Sequence, residues 1–161
     1  MFTLIKKVLQ GGHKPQARPA ERELQKRIAA CVLLLEAAHI DDECTPEEMA
    51  FIVDTVQARY ALSPEYAAEL LELAGQERQN SVDLWQFTND LNQQHSPAER
   101  QMILEDVWRI IFADGRLEMH EDQLAHKLAN LLRLSHQEMI AAKLAAKANG
   151  GNGTPPPLPA P

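Results

Sequence analysis

The sequence predicts an all-α fold, a bundle of about seven helices built from two pseudo-repeated halves. Three observations carry the prediction. Ala, Leu, Glu and Gln far outnumber the β-branched residues, and aromatics are only 5% of the chain, so the residues that strands favour are scarce. Apolar residues recur at the helical period from Leu24 onwards. A short acidic motif occurs twice, 73 residues apart, each time between two apolar helical stretches.

The elements follow in order. Leu24, Ile28, Cys31, Val32 and Leu35 make the apolar stripe of a helix ending near Ala38. Met49, Ile52, Val53, Val56 and Tyr60 mark a second helix, with Thr45 as N-cap, Pro46 at the first helical position and Glu48 completing a capping box. Ser63-Pro64 starts a third through Leu70, Leu71 and Leu73, and Ser81 opens a fourth holding Leu84, Trp85, Phe87 and Leu91. Ser96-Pro97-Ala98-Glu99 is a capping box for a fifth, with Ile103, Val107, Trp108 and Ile111. Leu124, Leu128, Leu131 and Leu132 form the sixth, and Ser135 to Glu138 caps a seventh that fades after Lys147. The 161 residues suffice for one domain with a real core. Trp85, Phe87, Trp108 and Cys31 are expected in it.

The ends differ from this body. Residues 1–19 read as a basic amphipathic arm and linker, 20–148 as the helical domain, and 149–161 as a disordered Gly/Pro-rich tail with polyproline II character. Residues 1–27 hold seven of the sixteen Lys and Arg but two of the twenty-three Asp and Glu. Phe2, Ile5, Val8 and Leu9 share one helical face backed by Lys6 and Lys7, which suits peripheral contact with an anionic membrane surface through residues 1–9; packing on the body or on a second chain is the other reading. Two lysines interrupt the apolar stretch and no small-residue cleavage site follows, so no secretory signal is expected.

Composition narrows function as well. A formal charge of -7 disfavours nucleic acid as a partner, because phosphate binding draws on basic residues. Cys31 and Cys44 form no disulfide framework and no zinc spacing, which suits a reducing, cytoplasmic setting. No phosphate loop, nucleophile elbow or zinc-protease motif is present, so no enzyme is expected.

The repeated motif is the candidate site. Asp41 maps to Asp114 and Glu48 to Glu121, and Leu62-Ser63 then maps to Leu134-Ser135. Ala113-Asp114-Gly115 through Glu121, followed by a helix and Leu-Ser, resembles the TerB family of tellurite-resistance-associated proteins. The same fold is shared by the N-terminal region of a membrane-anchored DnaJ-like co-chaperone. The first copy departs by carrying Asp42 where the motif has Gly. The resemblance covers about Leu24 to Ala146 and implies an all-helical domain linked to stress and tellurite resistance, with an acidic cluster that binds metal and no enzymatic reaction.

Two readings of the acidic turns stand. In one, Asp41, Glu48, Asp114 and Glu121 converge, with Asp42 and Glu43 contributing, and hold a hard divalent cation, Ca²⁺ or Mg²⁺. Four carboxylates brought together raise one another's pKa unless a cation neutralises them. Zn²⁺ is less favoured and would call on His39 or His120. The spacing is not that of an EF-hand, since Glu is the eighth residue from Asp and the intermediate oxygens are missing. In the other reading the acids are caps and turns, and the acidic face serves a protein-interaction scaffold. A metal-dependent hydrolase is a third possibility with no substrate indicated. Carboxylates around Cys44 leave its thiol inert.

Overall fold

The computed structural model describes residues 19–40, 44–81, 83–113 and 119–148. Among these residues there are seven helices and no strand: α1 (Pro19–Ala38), α2 (Pro46–Tyr60), α3 (Pro64–Asn80), α4 (Trp85–Gln94), α5 (Pro97–Phe112), α6 (Met119–Leu131) and α7 (His136–Ala148). The expected all-α class is met. The tail, and the arm short of Pro19 with its membrane contact through residues 1–9, lie outside the described residues.

Helix starts obey local chemistry. Thr45, Ser63 and Ser96 each accept a hydrogen bond from the backbone N–H three residues on, and each is followed by proline at the first position of the helix. Pro there gives up an N–H that the helix would leave unpaired. Ser96 and Glu99 form a reciprocal capping box, as do Ser135 and Glu138. Ser81 is the exception. It closes α3 rather than opening α4, its N–H donating to the Arg78 carbonyl. The N-cap of α4 is Leu84, and Asp83 Oδ1 accepts from the Trp85 N–H at 2.9 Å.

Two turns share one geometry. Ala61 and Arg133 both adopt the left-handed conformation, at φ 52° and 56°. The N–H of Leu62 then donates back to Gln57 at 3.1 Å, and that of Leu134 to Ala129 at 2.9 Å. Each turn thereby satisfies a terminal carbonyl before a serine caps the next helix.

The core is organised on α1 and α5. Every residue from Ile28 to Leu35 is buried, as is every residue from Asp106 to Ile111. An apolar stripe alone was expected for α1, but Ala29, Ala30, Leu33 and Leu34 fill its other faces, and a helix apolar all round is a buried one. α1 packs against α2, α3, α4 and α5, while α5 also carries α6 and α7. The broadest contacts are those of α1 with α3 and of α5 with α7. Trp108 is fully buried as expected, stacked on Phe112 with ring centroids 5.5 Å apart and with Lys143 Nζ of α7 4.9 Å from its centroid. Trp85 corrects the expectation: it is 60% exposed. The buried face of α4 is Leu84, Phe87, Thr88 and Leu91, spaced as one helical stripe that leaves Trp85 outside.

Charged groups also enter the interior. Arg59, at the end of α2, is 3% exposed and holds Asp106 of α5 through two bonds, Nε to Oδ2 at 2.8 Å and Nη2 to Oδ1 at 2.9 Å. Burial nevertheless raises the Asp106 carboxyl to about 6 against the pull of Arg59. His95 is buried between α4 and α5, its Nδ1 3.0 Å from Glu99 Oε2, with Lys26 and Glu23 of α1 nearby. Desolvation lowers its pKa although Glu99 works the other way.

Two predictions follow from this interior. Removing one partner of the buried pair, as in Asp106→Leu, strands a guanidinium and should cost ~3–5 kcal/mol in urea denaturation, whereas Arg59→Met with Asp106→Leu should recover most of the loss. Failure of the double variant to recover would mean that the pair contributes packing that the apolar residues do not replace. The second concerns pH. His95 is harder to protonate folded than unfolded, so its contribution is present above about 6.5 and is lost as pH falls. Asp106 has the opposite sign, gaining stability as pH falls from about 6 towards its ordinary range. His95→Gln should therefore make stability rise, relative to the wild type, on going from neutral to mildly acid pH; equal slopes in the two proteins would refute it.

Candidate functional site

The sequence singled out four carboxylates, and two of them have described positions. Asp41, Asp42, Glu43 and Asp114 lie outside the described residues, as does the side chain of His120. Glu48 sits in the first turn of α2, partly buried, and its N–H donates to Thr45 Oγ1 at 3.1 Å. This is the expected cap: the acid lies where the positive end of the helix dipole favours it. Glu121 occupies the first turn of α6 and is 6% exposed, a different environment for the same place in the motif. Among the described residues no group of three or more His, Cys, Asp or Glu gathers at metal-holding distance.

The flanking residues are sharply defined. His39, just past the end of α1, places Nδ1 2.8 Å from the Leu35 carbonyl oxygen. A carbonyl only accepts, so Nδ1 carries a proton, which in the neutral tautomer leaves Nε2 with the lone pair. Cys44 Sγ lies 3.9 Å from the Thr45 carbonyl oxygen, within reach of a weak S–H hydrogen bond. Cys31 is 0% exposed on α1, where burial pushes its thiol up to about 12, which suits the expected core role. Asp122, one residue past Glu121, lies 3.3 Å from His126 Nε2 and 3.8 Å from Lys143 Nζ, so it belongs to the packing of α6 on α7.

Sequence reasoning passed over a second charged group. Arg59, Asp106 and Arg109 are buried at the meeting of α2 and α5, and partly buried Glu105 joins them with its Oε2 3.8 Å from Arg59 Nη2. A signal was available. Glu105, Asp106 and Arg109 interrupt an otherwise apolar run from Ile103 to Ile111, and Asp106 and Arg109, three residues apart, share one face of the helix.

The order of the helices, with an acid at the start of both α2 and α6, can be set beside known proteins. A family model described as tellurite resistance protein TerB matches residues 27–144. The chain belongs to the TerB family. The match runs from the third turn of α1 to near the end of α7, which takes in both acidic turns and the charged set at the α2–α5 contact. No curated protein and no solved structure gave a match. Among the described residues no helix of this TerB-family chain is long and apolar enough to cross a membrane.

The unequal burial of the two glutamates separates their roles experimentally. Thr45→Ala should cost about 1 kcal/mol by removing the α2 cap. Glu48→Gln should cost no more than a few tenths, since it leaves the Thr45 bond to the backbone intact. A large loss from Glu48→Gln in thermal or chemical melts would show that its carboxylate does more than favour the helix start.

Proposed function

We propose that this TerB-family chain serves a tellurite- or stress-related response by binding rather than by catalysis. Its two acidic turns hold a hard divalent cation through Asp41, Glu48, Asp114 and Glu121. The observation that carries this reading is the burial of Glu121, at 6% exposed. Burial fixes this carboxylate in place at the start of α6, where a solvated acid would be free to move. A duplicated unit supports the pairing of the two turns. The left-handed residues Ala61 and Arg133, the returning bonds of Leu62 and Leu134, and the capping serines Ser63 and Ser135 correspond one to one, 72 residues apart. The donors are carboxylate oxygens, which suit Ca²⁺ or Mg²⁺. His39, with its Nε2 lone pair, is the neighbouring ligand that a softer ion such as Zn²⁺ would recruit.

A protein-interaction scaffold is the second reading. The bond between Thr45 and the Glu48 backbone favours it, because that bond explains Glu48 without a metal.

Thermal melts of the full chain in EDTA, then in millimolar Ca²⁺, Mg²⁺ or Zn²⁺, distinguish the two. Cation binding to the folded state raises stability by RT ln(1+[L]/Kd), about 2.7 kcal/mol at roughly a hundredfold excess over Kd. The cation reading expects that rise, and expects Asp114→Asn with Glu121→Gln to stabilise the metal-free protein while abolishing the rise. Identical melts with every ion, together with a destabilised double variant, would leave the turns purely structural.

A further inference from the structure

The buried charged set at the α2–α5 contact carries an unused recognition element. Arg59 grips Asp106 with one edge of its guanidinium, Nε and Nη2, and this takes both carboxylate oxygens, at 2.8 and 2.9 Å. Arg109, on the same face of α5 as Asp106, is buried more deeply, at 1% exposed. Its corresponding edge, again Nε and Nη2, has no protein acceptor. The same pair of donors that forms a fork around a carboxylate on Arg59 is thus open on Arg109.

We propose that the Nε/Nη2 edge of Arg109 is the receptor for a small anion that presents two oxygens side by side, a simple carboxylate or an inorganic oxyanion. Three features support it. An arginine stays charged in proteins, so it cannot avoid the cost of burial by losing its proton. Two parallel N–H donors match two oxygens of a carboxylate, phosphate or sulfate, and such paired bonds are among the stronger hydrogen bonds available to a protein. Exposure of 1% limits the ligand to a small ion. Asp106 does not compete, being held by Arg59, and Glu105 lies towards Arg59 at 3.8 Å. Burial works against the Arg109 cation most, as does the like charge of Arg59 to a lesser degree; the nearby charges of Asp106 and Glu105 favour it without occupying its Nε/Nη2 edge.

The inference is independent of the divalent-cation reading, and its test is run with EDTA throughout. The full chain is titrated with sodium sulfate and, separately, sodium acetate, with ionic strength held constant by sodium chloride, and Tm is followed. The wild type should show a rise that saturates with at least one of the two anions; sulfate alone indicates an inorganic oxyanion, acetate alone a carboxylate. Arg109→Gln should show no saturating rise, and Arg109→Lys, which keeps the charge but not the fork, a weakened one. Glu105→Gln should tighten the response, because Glu105 does not occupy the edge but its charge repels an incoming anion. A wild-type rise that stays linear with concentration, or one that Arg109→Gln reproduces, overturns the proposal. Should the variants fail to fold, the Nε–Hε resonance of Arg109 in the ¹⁵N-labelled wild type decides the matter. A saturating shift on adding either anion supports the site, and an unmoved resonance removes it.

Discussion

The burial of α1 from Ile28 to Leu35 and of α5 from Asp106 to Ile111 is the constraint to which the rest of the fold answers. A helix surrounded by protein has no solvent-facing side on which to place charge, so each charged residue it carries must be met by a partner from another helix. α1 largely meets the demand by having no charge from Ile28 to Leu35. α5 does not, since Asp106 and Arg109 lie within its buried stretch. Arg59 answers the first of these, and in doing so fixes the end of α2 against the middle of α5. Since α2 meets α5 over a narrow contact, a directional, paired hydrogen bond specifies that docking in a way that apolar packing alone would do less sharply.

The helix ends are held by short-range chemistry that is largely separate from this core. Thr45, Ser63, Ser96 and Ser135 all meet backbone donors within their own first turn. One end is held at long range: Asn92 of α4 and Arg100 of α5 donate to the carbonyls of Leu131 and Leu132, at 2.8 and 2.7 Å, where α6 finishes. Those carbonyls have no partner within their helix, and two other helices supply one. The end of α6 is thus set by tertiary contacts, whereas its counterpart at the end of α2 is followed directly by the same left-handed turn.

This difference in range explains what was legible in the sequence. Capping boxes and apolar periods are local, so the positions of α2, α3, α5 and α7 could be read within a residue or two. Ser81 misled because serine serves either end of a helix, and only the bond from its N–H to Arg78 decides which. Trp85 misled because it was counted with Phe87 and Leu91, although the stripe of Leu84, Phe87, Thr88 and Leu91 already excludes it. The pairing of Arg59 with Asp106 joins residues 47 apart in the chain, and no local pattern names the partner. Of the candidate site, the cap role of Glu48 was visible in Thr45-Pro46-Glu47-Glu48. The burial of Glu121 was not, because it depends on what lies over the first turn of α6.

Glu48 and Glu121 hold equivalent places in the repeated motif, yet one is partly buried beside a threonine cap and the other is nearly inaccessible. Two equal turns would each place an acid at the favourable end of a helix. From such a start, the copy with a good N-cap can spare its carboxylate for solvent, because Thr45 already satisfies the helix. The copy with Glu118 at the corresponding position lacks a side chain suited to that task. The asymmetry therefore assigns different work to the two acids: Glu48 adds to a helix start that is already secure, while Glu121 is the member whose charge the interior must accommodate.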